Sequence, residues 1–442
     1  MKRAWKFIST ASLCAALLAG SSVATTWAAP QDQAAKPAYT LPEYNAYQAA
    51  HNEKDPQAKT KALDDFVSKY PGSALLPYAY RDYYLSYYQL KNYPQTLDYV
   101  DKLLALGDKI DLGTRLESLV ARAQAYFVGS ADKALQTPEA YTKARDAAKL
   151  GVQTLAQWQK PANMTDDQFA AQKKSIGILT NSVAGLASSG LKDYKGAESS
   201  YKAVLAIDPN DALTHYRLGI ANLQDMPPQS QDGFWELSRA IALKVPSTDQ
   251  VKAYLRNQIL KYQQPSCDKL VDDQINNLVT LAGSSADRPA TLTIPSMEDL
   301  GKARDDTANF IPWLQEGGDH GKVMWLATCG LEYPDVGVKV VEAKPADGDN
   351  ITLEVYRPIA TEPDAAAKEM EAATTPNMEV HVMGQPDAKR VQKDDELRFT
   401  GTLNAYSQSP FLLTWENAKV NAEDISPEKA APGAKKKVLP KK

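Results

Sequence analysis

The sequence predicts an α + β multidomain protein: an all-α array of helical repeats, then a small β-barrel or curled β-sheet. Three observations carry that expectation. Apolar residues recur at the helical period from Leu41 to Tyr262, broken at intervals by Pro, Gly, Asp and Asn. From about Val336 the period drops to that of a strand, with turn signals between short runs. The chain has 442 residues, 43% of them hydrophobic and 24% charged, enough for two or three domains with ordinary cores.

Residues 1–28 read as a secretory signal peptide. Lys2, Arg3 and Lys6 make a basic start, an apolar run follows from Phe7 to about Gly20, and Thr26-Trp27-Ala28 offers small residues at the cleavage positions. That run is too short to span a membrane; an uncleaved amphipathic anchor is the competing reading. Cys14 does not make a lipoprotein site, because Leu13 stands where a small residue is needed. No other apolar run approaches the length of a span, so the mature chain is expected to be soluble, and periplasmic or secreted. Residues 29–40 form a polar, Pro-bearing leader expected to be disordered.

Residues 41–263 are predicted as helical repeats with a capping helix, and the stretch Ile178–Pro246 sets their register. Small residues at Gly185 and Ala197 let two helices approach closely, Tyr201 fills the space beside them, and Pro209 stops the second helix. One period later come Leu218 and Gly219. In this spacing the stretch resembles the tetratricopeptide repeat (TPR) family, whose period is 34 residues. Two departures stand out: Asn181 occupies the usual Trp position, and about two extra residues fall around Met226-Pro227-Pro228. Carried outward, the register places Ala62 and Phe66, Thr96 and Val100, and Ala144 and Ala148 in second helices. About five helix pairs result, with an insertion at Gly129–Gln136 and a final helix at Thr248–Tyr262.

The resemblance implies a right-handed superhelix whose inner groove is lined by four positions of each first helix. These are Tyr44, Tyr47, His51 and Lys54, then Tyr78, Arg81, Leu85 and Tyr88, then Glu117, Val120, Gln124 and Phe127. In the last two pairs they are Leu179, Ser182, Leu186 and Ser189, then Leu213, Tyr216, Ile220 and Leu223. Such a lining suits an apolar or extended peptide, with Tyr44, Tyr47, Tyr78, Arg81, Tyr88 and Phe127 as anchors. The apolar part near Leu213–Leu223 could equally be covered by the chain itself.

Residues 264–332 read as a bridge, with helices at Lys269–Leu281 and Met297–Phe310 and a loop at Gly317–Lys322. Its Cys267 and Cys329 are the two cysteines left after the signal peptide; an exported chain favours a disulfide between them, and two buried thiols are the alternative. Residues 333–425 are predicted as the β-domain, with strands at Val338–Val341, Ile351–Tyr356, Met378–Met383, Glu396–Leu403 and Phe411–Trp415. A short helix at Asp364–Ala373 separates the second and third. The run Lys393–Leu403 followed by Pro410–Leu413 loosely resembles the late strands of OB-fold domains, although the helix comes one strand early for that fold. An immunoglobulin-like module is the competing reading. Residues 426–442 make a disordered Lys-rich tail, either solvated or in contact with an anionic surface.

The formal charge is −4 over the chain and −7 without the three signal-peptide cations. The tail holds six lysines against Glu428, so the body between is near −12, which argues against nucleic acid. Catalytic and metal motifs are absent, and the four histidines are scattered. Gly317-Gly318-Asp319-His320-Gly321-Lys322 fails as a phosphate loop, with Glu316 and Val323 in the required Gly and hydroxyl positions. The chain is therefore read as a non-enzymatic exported scaffold without cofactor or metal, binding a protein or peptide partner. The alternative is carbohydrate or ligand binding through the β-domain, with Tyr406, Phe411 and Trp415 as stacking candidates. An unrecognised hydrolase in the bridge is a third reading.

Overall fold

The structure is a computed structural model that describes residues 38–426. The signal peptide, all but three residues of the leader, and all of the lysine tail except Ser426 lie outside the described residues. The chain divides into two compact units, residues up to Lys252 with Leu278–Pro289, and Ala253–Asn277 with everything from Ala290 on.

The first unit is built from helix pairs: α1 (Leu41–Asn52) and α2 (Pro56–Lys69), α3 (Leu76–Gln89) and α4 (Tyr93–Leu104), α5 (Leu112–Gly129) and α6 (Pro138–Gln157). Next come α7 (Asp166–Gly190) and α8 (Tyr194–Ile207), then α9 (Ala212–Gln224) and α10 (Ser230–Ala242); α11 (Thr248–Gln263) begins in the first unit and passes into the second after Lys252. Each helix from α1 to α10 packs on its neighbours in sequence, as repeat architectures require. The pairs fall where the periodicity predicts them, except that α7 starts twelve residues before Ile178. There Thr165 and Gln168 form a capping box, a start signal that the repeat register passes over.

Local chemistry accounts for the helix boundaries. The side chains of Thr40, Asp55, Asn92, Asp111, Thr137, Thr165, Asp193 and Asp211 each accept a backbone N–H of the helix they start. Two turns share one device. In Leu90-Lys91-Asn92-Tyr93 and Leu191-Lys192-Asp193-Tyr194, the lysine takes a left-handed conformation, at φ 56° and 61°. The next residue then donates its backbone N–H back into the helix, Asn92 to Tyr87 and Asp193 to Ser188, and caps the following helix with its side chain. The core runs between the pairs as successive clusters, among them Tyr47, Leu63, Phe66, Ala79 and Tyr83, and farther on Ala197, Tyr201, Leu218 and Ala221.

In the second unit, Cys267 and Cys329 are disulfide-bonded, with Cα atoms 5.6 Å apart. Between them in sequence, α12 spans Lys269–Ser284, its residues from Leu278 on belonging to the first unit, and α13 (Met297–Asp305), α14 (Phe310–Glu316) and α15 (Gly318–Thr328) follow. Two expectations are corrected here. The helix read as Met297–Phe310 ends at Asp305, where Asp306 turns to cap the next segment and takes the Asn309 backbone and side-chain N–H groups. The loop read at Gly317–Lys322 is the start of α15. Its glycines are there for packing and turning: Gly317 has φ 77°, and a Cβ on Gly321 would lie 2.6 Å from the Trp313 carbonyl oxygen.

Five strands then close a barrel: β1 (Glu332–Pro345), β2 (Ile351–Tyr356), β3 (Met378–Val382), β4 (Glu396–Gln408) and β5 (Phe411–Val420), in the order β1-β2-β3-β5-β4. Helix α16 (Pro363–Ala372) lies between β2 and β3 in sequence. β1 closes the barrel by pairing with β4 along its first half and with β2 along its second. Two register shifts in it, at Tyr333/Val336 and Val340/Glu342, bend the strand enough to do so. β3 and β5 are parallel, and the other pairs are antiparallel. A closed five-stranded barrel excludes an open immunoglobulin-like sandwich. Its core is filled by alternate residues, including Val338, Val340, Leu353, Val380, Phe399, Leu403, Leu413 and Trp415.

Candidate functional site

Two surfaces concentrate polar and aromatic groups, one in each unit. The first lies on α1, α3 and α5. Tyr78 is 55% exposed and Tyr44 39%, large apolar side chains left in water. Tyr44 stacks on Tyr39 with ring centroids 5.8 Å apart, and Tyr78 leans on Tyr47 at 6.3 Å. Arg81 lies on the same helix as Tyr78, and its Nη2 meets Glu117 Oε1 at 2.7 Å. The same oxygen accepts the Tyr84 hydroxyl at 3.3 Å.

Tyr47 departs from its expected role as an exposed anchor. It is 7% exposed, and its hydroxyl donates to Asp82 Oδ2 at 3.0 Å. His51 Nδ1 reaches that oxygen at 2.8 Å. Burial, and then the Asp82 charge, push the Tyr47 hydroxyl well above the ordinary phenol range. The physical reason is a buried carboxylate on α3 that must be satisfied, and α1 supplies the donors. Tyr88 and Phe127 are half-buried and pack against the cluster that holds Tyr126, Ala144 and Val183. Tyr88 sits edge-on to Tyr93 at 5.9 Å, and the Arg217 guanidinium lies 5.5 Å from the Phe127 ring centre. The exposed set is therefore Tyr44, Tyr78 and Arg81, and Tyr47, Tyr88 and Phe127 stand behind or beside it as packing groups.

The repeat-signature residues are packing residues. A Cβ on Gly185 would fall 2.5 Å from the Tyr201 ring, and one on Gly219 would fall 2.8 Å from Leu237. Ala197, Tyr201 and Leu218 are buried. Pro209 follows the end of α8, and its carbonyl accepts from His215 Nε2 at 3.0 Å. Of the remaining tyrosines, Tyr80, Tyr83, Tyr87 and Tyr99 form a stack on the other side of α3, with Tyr83 and Tyr99 only 3.9 Å apart.

The second surface is a cleft of about 760 Å³ at one end of the barrel. Its walls come from the end of α13, the start of α14, the first half of β1, and the segment Arg357–Thr361 after β2. Arg357 is placed by Asn377, whose side chain accepts the Arg357 backbone N–H at 2.9 Å and donates to its carbonyl at 2.8 Å. The guanidinium itself has one protein contact, Nη1 to the Gly337 carbonyl at 3.4 Å, and no ion pair among the described residues. Burial lowers its pKa below the usual guanidinium value. Tyr333 Oη and Trp415 Nε1, both on residues lining the cleft, are buried without a hydrogen-bond partner.

Trp415 is 1% exposed and packs edge-on to Phe399 and Tyr333, so it offers no face for a sugar. Tyr406 is tilted against Trp325 at 4.9 Å, and Phe411 packs against the barrel core. On the outside of the barrel, His381 bridges Glu416 at 2.8 Å and Glu379 at 2.9 Å. Among the described residues no group of three or more His, Cys, Asp or Glu could hold a metal ion, and no helix is long and apolar enough to cross a membrane.

No protein-family model matches this chain, and no curated protein matches it. Among solved structures, it is similar to the C-terminal part of a TPR repeat-containing protein from Cytophaga hutchinsonii. That similarity has 15% identity and a TM-score of 0.25, over 55% of this chain and 96% of the other, and carries no argument.

Sequence reasoning missed Arg357, Asn377 and the Asp82 network. Arg357 had one readable signal: a lone Arg-Pro between a strand and a helix, in a segment without other charges until Glu362. The Asp82 network had none, because its members are joined only when α1 packs on α3.

Proposed function

We propose that this chain is an exported, non-enzymatic TPR-type scaffold that holds an extended segment of a protein partner against Tyr44, Tyr78 and Arg81. The supporting observation is the pair of exposed tyrosines beside a half-exposed ion pair, on helices held in place by a buried hydrogen-bond network. Aromatic anchors next to an arginine are what peptide recognition uses most. Arg81 can exchange Glu117 for a carboxylate of the partner, and Glu117 can then receive a cation. The helix pairs and the Gly185–Tyr201 packing support the repeat assignment. Export rests on the character of residues 1–28, and the Cys267–Cys329 bond suits an oxidising compartment.

The experiment is capture from an envelope extract with the full chain as bait, beside a Tyr44→Ala/Tyr78→Ala/Arg81→Ala variant. Loss of a partner in the variant, with an unchanged melting curve, is the expected result. Equal recovery by both proteins would reject the surface. Fractionation of cells with N-terminal sequencing of the mature protein tests export; an intact Met1 on cytoplasmic material would reject it.

A second reading makes the barrel a ligand-binding module, and the cleft around Arg357 favours it. Of the stacking candidates for its carbohydrate form, Trp415 is core, and Tyr406 and Phe411 are half-buried.

A further inference from the structure

The barrel-end cleft has a specific imbalance of hydrogen-bonding groups. Proteins normally pair a guanidinium drawn partly out of water with a carboxylate, because desolvating the charge without compensation is costly, and Arg357 is half-buried. Arg357 has only a long contact to a carbonyl. The cleft's own carboxylates do not supply a partner. Asp424 is taken by Arg398, in a two-point contact at 2.9 and 3.0 Å. Asp335 accepts the Asn421 side chain at 2.7 Å, and Glu396 is exposed.

The rest of the wall is about half polar and half apolar, and Phe310, Ile359 and Met370 supply accessible apolar side chains, with Ile311 and Met378 behind them in the core. A cleft of about 760 Å³ is within the size range of small-molecule sites. Asn377 holds the Arg357 backbone from both sides, so the guanidinium starts from a fixed point, and little is lost in ordering it around a ligand.

We propose that the cleft binds a small organic anion, an apolar body bearing one carboxylate, with Arg357 gripping the carboxylate. The planar guanidinium matches a carboxylate in a two-point contact, which a lysine could not make. The apolar body lies along Phe310, Ile359 and Met370, and the flexible methionine accommodates more than one shape. Burial of the guanidinium depresses the Arg357 pKa, in keeping with its place in the cleft wall. This inference rests on the ligand-module reading of the barrel and is independent of the scaffold surface.

The test is calorimetric titration of the full mature chain with decanoate below its micelle threshold, against decylammonium, decan-1-ol and acetate. Decanoate is expected to saturate near one site per chain. Acetate and decan-1-ol are each expected to bind about tenfold more weakly or worse, and decylammonium not at all. Arg357→Met should lower decanoate affinity about tenfold or more, and Arg357→Lys by less, since it keeps the charge and loses the fork. Arg357→Lys keeps the charge and the side-chain stem, so its weakened binding reports the lost fork even if Arg357→Met does not fold. Decylammonium binding as tightly as decanoate, or unchanged decanoate binding by Arg357→Met and Arg357→Lys, would overturn the proposal. Absence of any heat with decanoate and decan-1-ol alike would remove the ligand-module reading as well, leaving the scaffold reading untouched.

Discussion

The Tyr47 hydroxyl donates to Asp82 Oδ2 at 3.0 Å across 35 positions of sequence, joining α1 to α3 inside the first unit. The carboxylate is 7% exposed, and its other neighbour is His51. Removing the donor leaves a buried charge short of one bond. Tyr47→Phe is expected to cost about 1.5–3 kcal/mol, the range for a hydrogen bond to a charged group. Urea unfolding of the two proteins checks this, and Tyr44→Phe, at an exposed position, should be neutral in the same assay.

Gly185 sits in the interior of α7, where alanine is worth about 1 kcal/mol more in helix propensity. Tertiary packing reverses that gain. The added methyl would lie 2.5 Å from the ring of Tyr201, which is 1% exposed and has nowhere to move. Gly185→Ala is therefore expected to destabilise by about 1–3 kcal/mol, the usual cost of overpacking. Thermal denaturation with Gly301→Ala as the comparison decides it, because no atom stands within 4 Å of a Cβ at Gly301.

Lys91 and Lys192 hold left-handed backbone where glycine would be unstrained. Lys91→Gly should stabilise by about 0.5–1 kcal/mol, the balance between relieved strain and the greater chain entropy of glycine. A lowered midpoint in chemical denaturation would show that the lysine side chain makes up for its backbone.

The Cys267–Cys329 bond closes 62 residues of sequence separation. In the loop-entropy account a bond of that span contributes on the order of 4 kcal/mol. Calorimetry with and without reductant, and of Cys267→Ser/Cys329→Ser, should show the loss in the transition that reports the second unit.

His381 lies between Glu379 and Glu416 on the barrel's outer face. Burial works against its protonated form, but the hydrogen bonds and charges of both glutamates outweigh it, and its pKa is raised from 6.5. A raised folded-state pKa contributes stability that is full below the unfolded value and is lost as pH rises through the folded value. Stability of the wild-type protein should thus fall from about pH 6.5 upward more steeply than that of His381→Gln. NMR titration of the His381 ring gives the folded pKa directly, and a value at or below that of a free histidine would refute this account.

The helix pairs were legible because their determinants are local. Periodicity, capping residues and the small–aromatic spacing of Gly185, Ala197 and Tyr201 act within one or two helices. The strands were legible for the same reason, down to the turn at Asp347–Asn350. The segment Gly317–Lys322 was misread because glycine has two uses, and only the nearness of the Trp313 carbonyl shows that Gly321 is a packing residue. Tyr47 was misread because its helix position marks a direction, and Asp82 on another helix decides whether that direction is water or core.

What the sequence determined by itself is the order of elements, a helical array and then a five-stranded β-module, since hydrogen-bonding period and turn chemistry are properties of neighbouring residues. What only the tertiary structure decided is closure and company. β1 meets β4, and β3 lies parallel to β5, through contacts tens of residues apart whose side-chain pattern is the same for any strand order. Asp82 finds Tyr47, and Arg357 finds no carboxylate, because burial and partners belong to the packed molecule. Those two placements are the ones on which the proposed binding surfaces depend.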